Sequence, residues 1–168
     1  MLPKMIDPRR SADQDSEYQT SMQASLLPRL SEVVDSIDGE VAVNLCFFRD
    51  EQGRICLKGE ASVNAGMQCQ RCLQTSEQKL LASIDLVIVH SDEQAKSLPK
   101  ELDAWVVGES ANLHELIEDE LLLAMPIVAY HPEADCKVPG EYRSAGPLEE
   151  SKQQSPFAVL KDLTSKPG

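Results

Sequence analysis

The chain has 168 residues, 42% of them hydrophobic and 26% charged, with a formal net charge of −12. That is enough for one domain with a proper core, and no apolar run reaches the roughly 20 residues that a membrane helix needs. So negative a total argues against broad, sequence-independent binding of nucleic acid, which relies on basic faces that release phosphate counterions; it favours solubility and basic partners such as ribosomal proteins.

The first residues, Met1-Leu2-Pro3-Lys4-Met5-Ile6-Asp7-Pro8, lack the apolar centre of a secretory signal, so a cytoplasmic protein is expected. Residues 1–25 are polar and aperiodic. They read as an N-terminal arm that either adds to a core or stays mobile. A core domain is expected over 26–131, opening with a short helix over 26–34 capped by Ser25.

The middle of the chain alternates apolar and polar residues, as half-buried strands do. Val41, Val43, Leu45 and Phe47 form one such set; Ile55, Leu57, Gly59, Ala61 and Val63 a second; Leu80, Ala82, Ile84, Leu86 and Ile88 a third. Asp50-Glu51-Gln52-Gly53 reads as the turn between the first two, with Gly53 free to take a positive φ. Residues 91–103 are a polar connection, and Trp105-Val106-Val107 a short fourth strand. Asn112 then caps a helix, with Glu115 at the reciprocal position of a capping box. Leu113, Leu116, Ile117, Leu121 and Ala124 share one helical stripe, and Pro126 ends the helix. The fold class expected is α+β, an antiparallel meander of three to four strands covered by a helix. From residue 132 to 168 the composition shifts to Pro, Gly, Ser, Glu and Lys, which predicts a flexible tail. Near its end Ser155, Pro156, Phe157, Leu160 and Leu163 could form a short amphipathic turn. That turn either packs on its own domain or folds on a partner.

Charge is uneven along the chain. Residues 91–120 hold nine acidic residues against Lys96 and Lys100. Glu115, Glu118 and Asp119 fall on the side of the helix opposite its apolar stripe. They make either a solvated face or a docking surface for a basic partner. Arg9, Arg10 and Arg71 offer direct phosphate contact if the fold brings them together.

Five cysteines (46, 56, 69, 72 and 136) are an odd set without the spacing of a disulfide framework. Cys46 and Cys56 lie within the strand patterns and read as structural. Cys69-Gln70-Arg71-Cys72 sits between the second and third strands and has three readings. It is half of a zinc site, a redox couple, or a tight turn with reduced thiols, the plainest of the three. Zinc needs four tetrahedral ligands; Cys136 could be the third and His131 the fourth, through His131-Pro132-Glu133-Ala134-Asp135-Cys136. A thioredoxin-type pair needs a helix after its first thiol, and a strand pattern follows here. Arg71 could lower a neighbouring thiol pKa. No glycine-rich phosphate loop, zinc-protease helix or nucleophile elbow occurs, and with 4% aromatics there is no stacking platform for single-stranded RNA.

Taken together, "LPKMIDPRR", "CQRCL" at 69–73, "SDEQAKSLP" at 91–99, "ELIEDELLLAMPIVAYHPEADC" at 115–136 and "SPFAVL" at 155–160 resemble the bacterial YceD family, known for large ribosomal RNA subunit accumulation. The resemblance runs in order over nearly the whole chain. It implies a cytosolic, noncatalytic factor in synthesis, processing or stability of large-subunit (23S) ribosomal RNA. Its partners would be a ribosomal protein, a pre-ribosomal particle or a processing factor. Binding would use Arg71, Glu115, Glu118 and Asp119, and Pro156, Phe157 and Leu160 of the tail. The alternative is an RNA-processing or thiol-redox enzyme using Cys69 and Cys72. Many members of that family carry a second cysteine pair after the helix block, which with the first would complete four thiolates. Here only Cys136 stands in that region, which counts against such a site. No cofactor is expected; zinc at Cys69, Cys72 and Cys136 is the alternative.

Overall fold

Alternation along three long segments builds the centre of the molecule. A computed structural model describes residues 2–137. The chain divides into two units, Met1–Cys136 and Lys137–Gly168, and the elements below belong to the first. In chain order these are β1 (Met5–Ile6), α1 (Pro8–Asp13), β2 (Glu17–Gln23), a 3₁₀ turn (Ala24–Leu26), α2 (Pro28–Val33), β3 (Ser36–Arg49), β4 (Ile55–Gln68), β5 (Thr75–Val89), α3 (Asp92–Ser97), β6 (Asp103–Val106), β7 (Ala111–Asn112) and α4 (Leu113–Leu123). The architecture is α+β. The main sheet has the order β2-β3-β4-β5-β6, and β1 pairs separately with β7. Pro156, Phe157 and Leu160, with the expected tail motif, lie outside the described residues.

The inward residues of the alternating sets are buried: Val41, Val43, Leu45 and Phe47 on β3, Leu57, Ala61 and Val63 on β4, Leu80, Ala82, Ile84 and Ile88 on β5. Leu113, Leu116, Ile117 and Leu121 of α4 and Leu30 of α2 join the same apolar cluster. Full burial of each large aliphatic side chain contributes about 1.5–3 kcal/mol, so this layer dominates the stability of the unit. Gly53 has φ +76° in the β3–β4 turn, where its amide donates to the Asp50 carbonyl at 2.9 Å. Gly59 is required for a different reason: a Cβ there would sit 2.0 Å from the Asn44 carbonyl oxygen on the paired strand.

Four features refine or depart from the sequence expectation. First, the N-terminal arm takes the alternative in which it adds to the core: it forms β1, α1 and β2, and Leu2, Ile6, Ala12 and Met22 are buried. Second, β6 pairs with β5 in parallel, with Ile88 opposite Trp105, so the sheet is not a simple meander. A parallel pair needs a crossover, and residues 91–103, read as plain connection, carry α3 for that purpose. Leu98 and Leu102 beside α3 pack over Cys56, Val87 and Val89 on the second face of the sheet. Third, Ser25 caps nothing: α2 begins at Pro28 with Leu27 at its cap position and no capping bond from that side chain. Fourth, Asn112 does cap α4, its side chain accepting from the amides of His114 and Glu115, yet the outward side of that helix is not uniformly solvated. Glu118 is 3% exposed.

Candidate metal centre

The open end of the β4–β5 hairpin closes through a tight loop. The Cys69 amide donates to the Gln74 carbonyl at 2.9 Å, and the Leu73 amide to the Cys69 carbonyl at 2.9 Å. Leu73 has φ +61°, a left-handed conformation that a bulky residue adopts only when its surroundings impose it. The chain doubles back here and brings the Cys69 and Cys72 side chains onto one side, both buried.

The segment after α4 runs across this loop. The Gln70 amide donates to the Ala129 carbonyl at 3.0 Å, and Gln78 Nε2 to the Tyr130 carbonyl at 3.0 Å. Arg71 places its guanidinium 4.7 Å from the Tyr130 ring centroid, a cation–π contact. These ties deliver His131 and Cys136 to the two thiols. Cys69 Sγ lies 3.8 Å from Cys136 Sγ, and Cys72 Sγ lies 3.3 Å from His131 Nδ1. All four donor atoms fall within 4.8 Å of one another.

The imidazole is oriented for ligation. His131 Nε2 is 3.0 Å from the Thr75 carbonyl oxygen. A carbonyl only accepts, so Nε2 carries the proton and Nδ1 presents its lone pair to the thiols. The His131 amide donates to Cys69 Sγ at 3.5 Å. Burial works against a charged Cys69, but amides of Cys72, His131 and Arg71 donate to its sulfur and hold its pKa down to about 5. Burial and the neighbouring sulfurs push Cys136 up to about 11.

Three sulfurs and one imidazole nitrogen form a soft to borderline donor set, suited to zinc and unsuited to magnesium or calcium. Bond lengths of about 2.3 Å to sulfur and about 2.0–2.1 Å to nitrogen imply tetrahedral edges of about 3.8 Å and about 3.5 Å. Cys69 to Cys136 at 3.8 Å matches the sulfur edge, and Cys72 to His131 at 3.3 Å is close to the mixed edge. The Cys69–Cys72 turn runs into β5 rather than into a helix, so it lacks the helix N-terminus of a thioredoxin-type couple. In place of a second cysteine pair, His131 and Cys136 bring the third and fourth donor atoms beside Cys69 and Cys72.

The other residues singled out in the sequence are dispersed. Glu115 is exposed on α4. Asp119 is half exposed and pairs with Arg29 Nη1 at 2.7 Å. Glu118 turns inward to the start of α2, where its carboxylate accepts from the amides of Arg29 (2.6 Å) and Leu30 (3.1 Å) and from Arg29 Nε (2.8 Å). It replaces the missing cap. The sequence signal was Leu27 before Pro28, which leaves two helix N–H groups without a local acceptor. Glu118 therefore leaves the set of candidate docking residues. Arg9 and Arg10 lie on α1, where Arg9 Nε contacts His90 Nε2 at 3.1 Å beyond the end of β5. Arg71 precedes the start of β5. At about 3.3 Å per residue the two ends are on the order of 40 Å apart, so these three arginines do not form one patch.

Comparison with known proteins places this geometry in context. The profile of a family described as "Large ribosomal RNA subunit accumulation protein YceD" matches residues 57–164. A Haemophilus influenzae protein named "Large ribosomal RNA subunit accumulation protein YceD" is 31% identical over 169 aligned positions, spanning 98% of this chain and 97% of that protein. No solved structure matches the chain.

Proposed function

This chain belongs to the YceD family, and from that premise we propose that it is a noncatalytic factor supporting synthesis, processing or stability of large-subunit ribosomal RNA. It acts in the cytoplasm by binding a ribosomal protein, a pre-ribosomal particle or an RNA-processing factor. The observation that carries this reading is the relative's name together with an alignment that covers nearly all of both chains. A net charge of −12 supports a basic partner over naked RNA. The candidate contacts are Glu115 and Asp119 on α4 and, separately, Arg71 on the hairpin loop; the sequence adds Pro156, Phe157 and Leu160. Among the described residues no helix is long and apolar enough to cross a membrane.

Depletion of the protein should lower the ratio of large- to small-subunit ribosomal RNA, and re-expression should restore it. An unchanged ratio counts against the reading. Glu115→Lys reverses a charge without touching the Glu118 cap, so it should weaken capture of a basic partner at moderate salt. Unchanged capture removes that face from the surface.

One observation favours a second reading, thiol or RNA chemistry at Cys69 and Cys72: the amide-stabilised Cys69 sulfur. It predicts turnover of a disulfide or RNA substrate by the purified protein, lost in Cys69→Ser. No turnover in the wild type ends it.

A further inference from the structure

We propose that the chain binds one zinc ion through Cys69 Sγ, Cys72 Sγ, His131 Nδ1 and Cys136 Sγ, as a closed structural site that staples residues 127–136 to the tip of the β4–β5 hairpin. The inference does not rest on the role in ribosomal RNA. It rests on convergence: two short sequence segments, 59 to 67 residues apart, place four donors within 4.8 Å.

Chance proximity of thiols in a core does not explain the histidine. An imidazole packed beside thiols for shape alone has no reason to fix its tautomer. Here Nε2–H donates to the Thr75 carbonyl, and Nδ1 faces Cys72. Metal-binding histidines are held in this way, by a backbone carbonyl on the far nitrogen. The His131 amide also donates to Cys69 Sγ, as expected beside a sulfur that is to carry charge.

Four protein donors leave no coordination position for water or substrate, which separates a structural site from a hydrolytic one. Binding exchanges thiol protons for the ion: each cysteine that ligates as thiolate releases its proton to solvent, the imidazole ligates neutral, and no electron is transferred. The segment after α4 gains most from closure. It exposes Ile127 fully and Val128 and Tyr130 partly, so apolar burial holds it weakly. Besides buried Ala129, its protein ties at this site are the hydrogen bonds of Gln70 and Gln78, those of His131 to Thr75 and Cys69, and the Arg71 contact. An ion bonded to His131 and Cys136 anchors the end of that segment, at the last residue of the first unit.

The test is metal analysis of the full chain, made in zinc-sufficient medium and purified under reducing conditions without a polyhistidine tag. The expected content is about one zinc per chain. Cys69→Ser and Cys136→Ala should each drop it at least about tenfold, as loss of a ligand does. Hydrogen exchange of the wild-type chain with and without a zinc chelator gives a readout independent of variant folding. Chelation should deprotect residues 68–75 and 127–136 and leave the centres of β3, β4 and β5 unchanged. Zinc below about 0.1 per chain, both as purified and after incubation with one equivalent of zinc, overturns the proposal. So does stoichiometric zinc that the cysteine substitutions leave in place, or chelation that changes exchange nowhere. A Cys69–Cys136 disulfide found in place of metal also overturns it.

Discussion

Two polar clusters hold distant parts of this fold together, and they differ in how their valences close. At the α2–α4 junction one carboxylate, Glu118, meets three N–H donors: two amides and the Arg29 guanidinium. Acceptor and donors match, so the junction is complete within the chain. At the hairpin loop, three sulfurs and a bare imidazole nitrogen face one another. The contacts there are the long, weak ones of sulfur, 3.8 Å between Cys69 and Cys136 and 3.3 Å from Cys72 to the imidazole. A carboxylate among N–H donors is a finished fastening; four soft donor atoms around one point suit a cation.

The largest expected effect breaks the first cluster. Glu118→Ala leaves two helix amides buried without an acceptor and should cost about 3 kcal/mol in denaturant unfolding. In a unit of this size that lowers Tm on the order of 10 °C. Glu118→Gln keeps one acceptor oxygen and should cost roughly half as much. A near-neutral Glu118→Ala would mean that water caps α2 equally well.

Next, chelation should lower the Tm of the wild type, by an amount that grows with the logarithm of the free zinc concentration in the unchelated sample. Cys69→Ser should melt near the chelated wild type and show no further response to chelator. A chelator effect that persists in Cys69→Ser would place the ion elsewhere. Arg29→Ala should cost less than Glu118→Ala, because the guanidinium is half exposed and the amides keep their acceptor. The comparison fails if Arg29→Ala is the worse of the two. The smallest effect is expected at Arg71→Ala, about 0.5 kcal/mol from an exposed cation–π contact, with zinc content unchanged. A marked loss of zinc would show that the loop around the thiols depends on Arg71 and Tyr130.

The parts of the fold legible in the sequence are those with a strong period. Val41 to Phe47, Ile55 to Val63 and Leu80 to Ile88 repeat every second residue because one sheet face is buried. β2 was illegible because it is an edge strand in which only Met22 is buried. α3 has six residues and none buried, so it carries no apolar stripe. Glu118 misled because its neighbours along the helix surface are acidic and exposed; its partner, an uncapped Pro28 helix, lies 88 to 89 residues away. For the thiol cluster, spacing named the four residues but not their meeting. Their convergence depends on the loop at Leu73 and on the Gln70–Ala129 bond, neither of which has a sequence signature.

The claim that the hairpin loop is a cation site is tested most directly by cobalt. Cobalt(II) adopts the tetrahedral geometry of zinc and reports its ligands by colour. One equivalent added to the metal-free full chain under reducing, anaerobic conditions should give intense tetrahedral bands with thiolate charge transfer, weakened in Cys136→Ala and bleached by one equivalent of zinc. A pale octahedral spectrum, or tetrahedral bands that survive replacement of Cys69, would contradict it.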